Sequence, residues 1–449
     1  MTDWAARMLN FKRGELHLAM LAGLFNFCVL CGYFFLRPVR ETMGVSRGMD
    51  ELRWLFVVTS ISSLIFVLLF AGVVARMDRR RFIPAGYGFV VLCLLGFSAL
   101  LFVNVQAGGG LIGSETETPL ARGVGYTFYV WLSTINLFMT SLFWAFMADI
   151  FNLSQGKRMF PFIAAGGTLG AAVGGWVTYF VSNSTESEYL SIAQMLTGAG
   201  LFILAIAVML KLDRTAVQSS DSKLGETSRS PVALPGQRIG GGFLDGLTAV
   251  GTSPYLIGIA LFIVCMAVSN TLIYFTQANI VLIDNDSFSQ RLGAFALFDA
   301  LAQTLTLFTQ IFIATRVIRR LGVGWTLAIL PLVTLAGFAV LAIWPLYGVM
   351  AIFQAVHRAT RYALSRPARE TLFIVVPPSE RYKAKPLIDV FLYRGGDLAG
   401  AGIHALLSGL GSLGLMVAAV TPFAAVWSVL SVVLGRAQNR RDPAQEQLK

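Results

Sequence analysis

Long apolar blocks broken by short polar stretches run along nearly the whole chain. Reading the blocks against their breakers gives helices near 16–36, 52–75, 82–104, 124–150, 159–182 and 190–211, and then near 253–282, 291–315, 322–343, 346–365, 385–408 and 412–434. Each block is about as long as the roughly 20 apolar residues needed to cross a bilayer. The pattern predicts an all-α membrane protein of twelve transmembrane helices in two six-helix halves. The halves are expected at 1–211 and 253–434, with a linker at 212–252 and a tail at 435–449. The linker stretch DRTAVQSSDSKLGETSRSPVALPGQRIGGG is rich in Ser, Gly and Pro, the composition of a flexible connection.

Composition agrees with this reading. Hydrophobic residues make up 56% of the 449, charged residues only 13%, and the mean hydropathy is +0.69, whereas soluble domains carry about 25% charged residues. Lys12-Arg13 precedes the first block, but that block is longer than a signal-peptide core and lacks a small-residue cleavage site, so it reads as a span. The net charge of +11 does not call for nucleic acid, because the basic residues punctuate the spans. Arg7, Lys12 and Arg13, then Arg76 and 79–81, Lys157-Arg158, Arg316, 319 and 320, Arg381, Lys383 and Lys385, and the tail arginines all fall on one side. By the positive-inside rule that side is cytoplasmic, and both termini are expected there. One opposite connection breaks the rule, since 37–53 holds Arg37, Arg40, Arg47 and Arg53.

Ionisable groups inside spans cost about 2.5–3.5 kcal/mol or more on insertion scales, so they are expected to face a cavity or a partner. Span 1 sets Asn26, Tyr33, Arg37 and Arg40 or Glu41 on one helical face, and span 10 sets His357, Arg361, Ser365 and Arg369 at steps of four. Span 4 ends near Asp149, and span 7 carries Asn270, Tyr274 and Gln277. Two readings stay open for spans 1 and 10, a lined cavity or internal pairing of Arg37 with Glu41 and Arg366 with Glu370 at i, i+4. Internal pairing leaves Arg40 and Arg369 without a local partner at the favoured spacing. In span 8 Asp299, Gln303, Thr306 and Gln310 form another stripe; Asp299 is either a coupling carboxylate or the partner of an arginine on a neighbouring helix. Asp389 and Arg394 are expected to pair within the bundle.

Other chemistries have little support. Cys28 and Cys31 have redox or zinc spacing but lie in an apolar helix, where small buried cysteines pack. Three isolated histidines assemble neither a metal site nor a triad, and there is no Gly-x4-Gly-Lys-Ser/Thr phosphate loop. No cofactor is implied. Gly166, Gly170 and Gly174, like Gly396 and Gly400, have the four-residue spacing of close helix packing. What remains is a carrier rather than an enzyme. Its expected partners are the bilayer and a small anion, because guanidinium forks match carboxylate and phosphate. A monomer is expected.

The hexapeptide Arg-Pro-x-Arg-Glu-Thr occurs twice, in LRPVRETMGV (36–45) and SRPARETLFI (365–374). The first resembles the span 1 segment of the nucleotide (ATP/ADP) translocases of intracellular bacteria and plastids, a branch of the major facilitator superfamily. RYALSRPARETLFIVVPPSERYKAKPLIDVFLYRGGD is similar to their span 10 and the loop after it, and LFWAFMADIFNLSQGKRMFPFIAAGG to their span 4 and the 4–5 loop. The resemblance implies alternating access and nucleotide exchange, with basic residues of spans 1 and 10 and acidic residues of spans 4 and 7 engaged. Arg40 and Arg369 match the basic positions, with Arg in place of Lys, and Asp149 matches the span 4 acid. Span 7 has no carboxylate, and Asp397 stands where the family carries a cation. The substrate set expected from the helical stripes together with the resemblance is Arg37, Arg40, Arg361, Arg369, His357, Tyr33, Asn26, Tyr274 and Gln277. The gating set is Glu41, Asp149, Asp299, Glu370, Asp389 and Arg394. The rival readings are a proton-coupled exporter using Asp299 and a ligand sensor that transports nothing.

Overall fold

The computed structural model describes residues 15–74, 79–151, 153–221, 243–377, 380, 384–385, 387–408 and 413–441. Arg7, Lys12, Arg13, Arg76, Arg381, Lys383, most of the expected linker and the end of the tail lie outside the described residues. The helices are α1 (Glu15–Val45), α2 (Met49–Val74), α3 (Arg79–Gln106), α4 (Pro119–Ile150), α5 (Leu153–Ser184), α6 (Leu190–Asp221), α7 (Phe243–Thr252), α8 (Pro254–Asp284), α9 (Phe288–Phe308), α10 (Ala314–Ile343), α11 (Tyr347–Ala359), α12 (Arg366–Leu372), α13 (Tyr393–Ser408) and α14 (Leu413–Arg441). Wider π turns occupy Thr309–Ile313, Thr360–Ser365 and Leu387–Leu392. The stretch expected to link the halves is helical at both ends, since α6 runs on to Asp221 and Phe243–Thr252 forms α7.

Among the described residues, eight helical segments are long and apolar enough to cross a membrane. One of them, Phe288–Ile343, has 56 residues, far more than one crossing needs. It is broken where Gly322 takes φ +73°, a left-handed conformation that glycine adopts without a Cβ clash. Large apolar side chains such as Leu92, Phe180 and Ile352 are exposed, as a lipid-facing surface requires. The chain is a multi-pass integral membrane protein.

The fold comprises two compact units, Met1–Ser230 with Asn285–Thr304, and Pro231–Asp284 with Leu305–Lys449. In the first, the glycine stripe works as its spacing predicts: a Cβ on Gly166, Gly170 or Gly174 of α5 would meet the carbonyl oxygens of Gly23, Phe27 or Cys31 of α1 at 2.9, 2.3 and 2.7 Å. Cys28 and Cys31 are buried in that same packing. Phe25 of α1 packs on the rings of Tyr87, Phe143 and Phe146, and Tyr87 donates to the Met139 carbonyl at 3.0 Å. The second unit repeats the device, with Gly396 and Gly400 of α13 against the backbone of Val264 and Val268 in α8. Gly324 and Gly435 bring α10 and α14 equally close, and Trp427 packs on Phe262.

The connection 107–118 folds back onto the end of α1. Its Ile112 fills the space beside Gly125, and Gly113 (φ +81°) lies so close to Ser46 that a Cβ would meet the Ser46 carbonyl at 2.7 Å. Glu117 ties the segment down: its carboxylate takes Arg122 at 2.7 Å, Arg47 at 3.0 Å and the Gly113 N–H at 3.0 Å. Burial alone would raise the Glu117 pKa, but the Arg122, Gly113 and Arg47 contacts outweigh it and hold the pKa below the usual 4.5. A lowered folded-state pKa stabilises above the unfolded value and loses that contribution as pH falls through the folded one. Glu117→Gln is therefore expected to lower the thermal unfolding midpoint by a few degrees at neutral pH. The gap to wild type should close on acidification below the ordinary carboxylate range, as followed by unfolding scans across pH.

Candidate functional site

The end of α1 carries the first hexapeptide. Pro38 removes one backbone donor, and the Thr42 hydroxyl takes the Pro38 carbonyl at 2.8 Å. Here the arginines pair both within α1 and across to α9. Arg37 binds Asp299 of α9, within the first unit, and reaches Glu41 at 3.5 Å. Arg40, which lacks a partner at i, i+4, binds the adjacent Glu41, donates to the Ser133 hydroxyl of α4 at 3.0 Å and lies 5.4 Å from the Tyr129 ring centroid. The i, i+4 rule misses this contact because the side chains of Arg40 and Glu41 bend toward each other across the buried helix face. Tyr33 is buried beside both arginines. The four arginines that break the charge asymmetry thus each hold a carboxylate, with Arg47 on Glu117 and Arg53 on Asp50 at 2.7 Å.

Two residues of the expected first-unit set sit elsewhere. Asn26 donates to the Ile163 carbonyl at 2.9 Å, so it fastens α1 to α5. Asp149 is exposed in the last turn of α4, sixteen residues beyond Ser133 and so roughly 24 Å along the helix from the Arg40 contact.

The second unit builds a site around Arg361, which lies in the π turn Thr360–Ser365. The Arg366 N–H reaches back five residues to the Arg361 carbonyl. Such turns recur at functional sites because they re-aim side chains. Arg361 donates to the Tyr393 hydroxyl at 2.6 Å and lies 5.1 and 5.8 Å from the centroids of Tyr362 and Tyr393. Arg394 holds Asp397 at 3.1 Å, and Asp397 accepts from Thr271 at 3.3 Å. His357, one turn before Arg361, is 1% exposed, and its Nε2 is buried with no hydrogen-bond partner among the described residues. Gln354 donates to Gln277 at 2.5 Å, which places Gln277 of α8 against α11. Tyr274 of the same helix stacks edge-on with Phe275.

At the second hexapeptide the charges are also paired. Arg369 reaches Glu370 at 3.3 Å and Asp389 at 3.8 Å, and Lys385 holds Glu370 at 2.5 Å. Arg369, which lacks a partner at i, i+4, thus pairs at other spacings, and Asp389 and Arg394 each pair within the second unit, with Arg369 and Asp397 respectively. Among the described residues, no group of three or more His, Cys, Asp or Glu is placed to hold a metal.

A model of the family described as TLC ATP/ADP transporter matches residues 118–344, just over half of the chain. The protein belongs to the TLC ATP/ADP transporter family. The match spans α4 to α10 and contains neither hexapeptide. Over the longer reach of 92% of the chain, this TLC-family transporter is 23% identical to "ADP,ATP carrier protein 1" of Chlamydia trachomatis serovar D, covering 85% of that protein. It is 22% identical to the carrier of the same name from Chlamydia pneumoniae, covering 88% of it. Its fold is similar to that of a bacterial homologue of the iron transporter ferroportin (TM-score 0.60, 13% identity, 94% and 98% of the two chains). It is also similar to that of the nucleoside transporter NupG (0.57, 15%, 94% and 99%). A membrane transporter is what these relatives share, and the family's transporters are carriers, not enzymes.

Sequence patterning missed Tyr362, Tyr393, Ser133 and Tyr129 in this TLC-family transporter. Tyr393 and Asp397 do share a face at i, i+4, but nothing in the sequence brings that face to Arg361. Ser133 and Tyr129 are likewise one turn apart, which marks a face of α4 without naming its partner.

Proposed function

We propose that this TLC-family transporter exchanges nucleotides or closely related phosphorylated anions across the bacterial inner membrane. The proposed architecture is twelve spans in two six-helix halves, both termini cytoplasmic, working as a monomer by alternating access without nucleic acid. The observation that carries the anion reading is the Arg361 site, where a half-buried guanidinium is held by neutral tyrosines while the adjacent Asp397 is already engaged by Arg394. A partly buried cation held this way keeps its attraction for a phosphate, since a lowered dielectric strengthens the interaction. The tyrosine rings around it offer a flat apolar surface of the kind a nucleobase stacks on. Likeness to carriers named for ADP and ATP supports the same substrate class.

Arg40 and Arg369 remain proposed contributors, but both are screened by neighbouring carboxylates. The test is uptake of labelled ATP into proteoliposomes loaded with ADP, compared with phosphate and other phosphorylated metabolites. Arg40→Ala and Arg369→Ala are each expected to raise the KM for the transported anion about fivefold, the ~1 kcal/mol of a half-neutralised contact. Uptake of none of these anions by the wild-type protein would refute the reading.

A further inference from the structure

Six arginines gather at one end of the second unit. Arg316, Arg319 and Arg320 lead into the Gly322 break of α10, and Arg436, Arg440 and Arg441 close α14. The two groups meet at one seam. Just past the break, a Cβ on Gly324 would lie 3.2 Å from the Cα of Gly435, the residue directly before Arg436. Arg441 is engaged, since it lies 4.5 Å from the Tyr255 ring centroid. The other five are exposed, and none of them pairs with a carboxylate among the described residues. Glu370 is brought to the same end by the Gln438 bond to the Thr371 carbonyl at 3.0 Å, but Lys385 and Arg369 hold it.

The helix dipole accounts for part of this charge. A helix C-terminus favours cations in its last turn, which covers Arg319, Arg320, Arg440 and Arg441. Arg316 and Arg436 stand one turn deeper, four residues from Arg320 and Arg440. Like charges at i, i+4 repel, so each helix carries a same-sign pair that an anion would relieve.

The surface leading to each pair is apolar. Val426, Val429 and Val433 are exposed on α14 and run at steps of three and four into Arg436 and Arg440. Exposed Phe308 and Phe312 run at steps of four into Arg316 and Arg320, and Leu321 and Trp325 are exposed on either side of the break. An apolar column that ends in unpaired guanidinium groups matches a phospholipid, with acyl chains along the column and a phosphate at its end. Basic pockets between membrane helices take such headgroups, and guanidinium forks fit phosphate oxygens.

We propose that the α10–α14 seam binds the headgroup of an anionic phospholipid, with Arg316 and Arg320 on one side of the phosphate and Arg436 and Arg440 on the other. The acyl chains lie along the exposed valines of α14 and the exposed phenylalanines before α10. A lipid is the occupant rather than a soluble phosphate, because only a lipid also covers the apolar columns. The site involves neither Arg361 nor the two hexapeptides, so it stands apart from the anion-carrier reading.

The test titrates the detergent-purified full chain with phosphatidylglycerol, with zwitterionic phosphatidylethanolamine for comparison, and counts bound lipid by native mass spectrometry. Wild type should prefer phosphatidylglycerol. Arg320→Gln combined with Arg436→Gln should weaken that binding about thirtyfold. Lys211→Gln combined with Arg214→Gln removes two exposed basic residues from the end of α6 in the first unit and should leave it unchanged. All four positions are exposed, so both variants should fold. No weakening in the Arg320 and Arg436 variant, or equal weakening in the two variants, would overturn the proposal. Equal affinity of wild type for the two lipids would also overturn it, as would displacement of phosphatidylglycerol by an equal concentration of inorganic phosphate.

Discussion

Arg361→Ala is expected to abolish most anion transport while leaving the protein folded. The side chain is packed between Tyr362 and Tyr393 and donates to the Tyr393 hydroxyl, so alanine removes the cation without stranding a carboxylate, since Asp397 keeps Arg394. Losing a hydrogen-bonded charge that faces its ligand costs about 2–5 kcal/mol, roughly thirty- to several-thousand-fold in kcat/KM. Lysine in its place should recover only part of the loss, because an ammonium lacks the fork and the flat face that the tyrosines hold. Tyr393→Phe deletes a neutral hydrogen bond and should cost about 1 kcal/mol, near fivefold. Initial rates of counter-exchange in proteoliposomes, with the reconstituted amount of protein quantified, check all three. An Arg361→Ala protein that transports within threefold of wild type would place the anion elsewhere.

Gly170→Ala should lower stability far more than alanine usually does. A Cβ there would lie 2.3 Å from the Phe27 carbonyl oxygen and 2.9 Å from Phe27 Cα, and backbone in the middle of a helix cannot swing aside as a side-chain tip can. Relief requires α1 and α5 to separate, which also loosens the contacts at Gly166 and Gly174 one turn either way. Overpacking of this kind costs about 1–3 kcal/mol, and Gly170→Leu should give no folded protein. A methyl group added at Gly96 or Gly200 would meet nothing within 4 Å, so alanine there should be neutral or stabilise by up to about 1 kcal/mol through helix propensity. Opposite signs for the same substitution separate packing from propensity. Thermal unfolding in detergent, read by fluorescence or by size-exclusion recovery, measures both.

These two effects are encoded at different depths of the chain. The glycine stripe is legible from spacing alone, because a four-residue repeat of the smallest residue inside an apolar helix has one common use, and α5 puts it to that use against α1. The apolar blocks are legible for a similar reason: a helix in lipid must be continuous and apolar, so its length and limits are written locally. Charge placement is legible as a set of costly residues, and Arg37, Arg40, Arg361 and Arg369 all lie in interacting clusters.

Which group answers which is not local. Arg37 meets Asp299 across 262 residues of sequence, and Arg361 meets Tyr393 across 32, separations that no helical period encodes. Local spacing rules leave Arg40 and Arg369 without a partner at i, i+4, and in the folded protein Glu41, Glu370 and Asp389 reach them at other spacings. The same rules put Asn26 in the lining, where it instead fastens two helices. A helical membrane carrier with arginines in costly places follows from the order of residues, because insertion energetics act residue by residue. Which arginine keeps an unspent charge follows from packing, because charge compensation in a low-dielectric interior depends on the neighbours brought within a few ångströms.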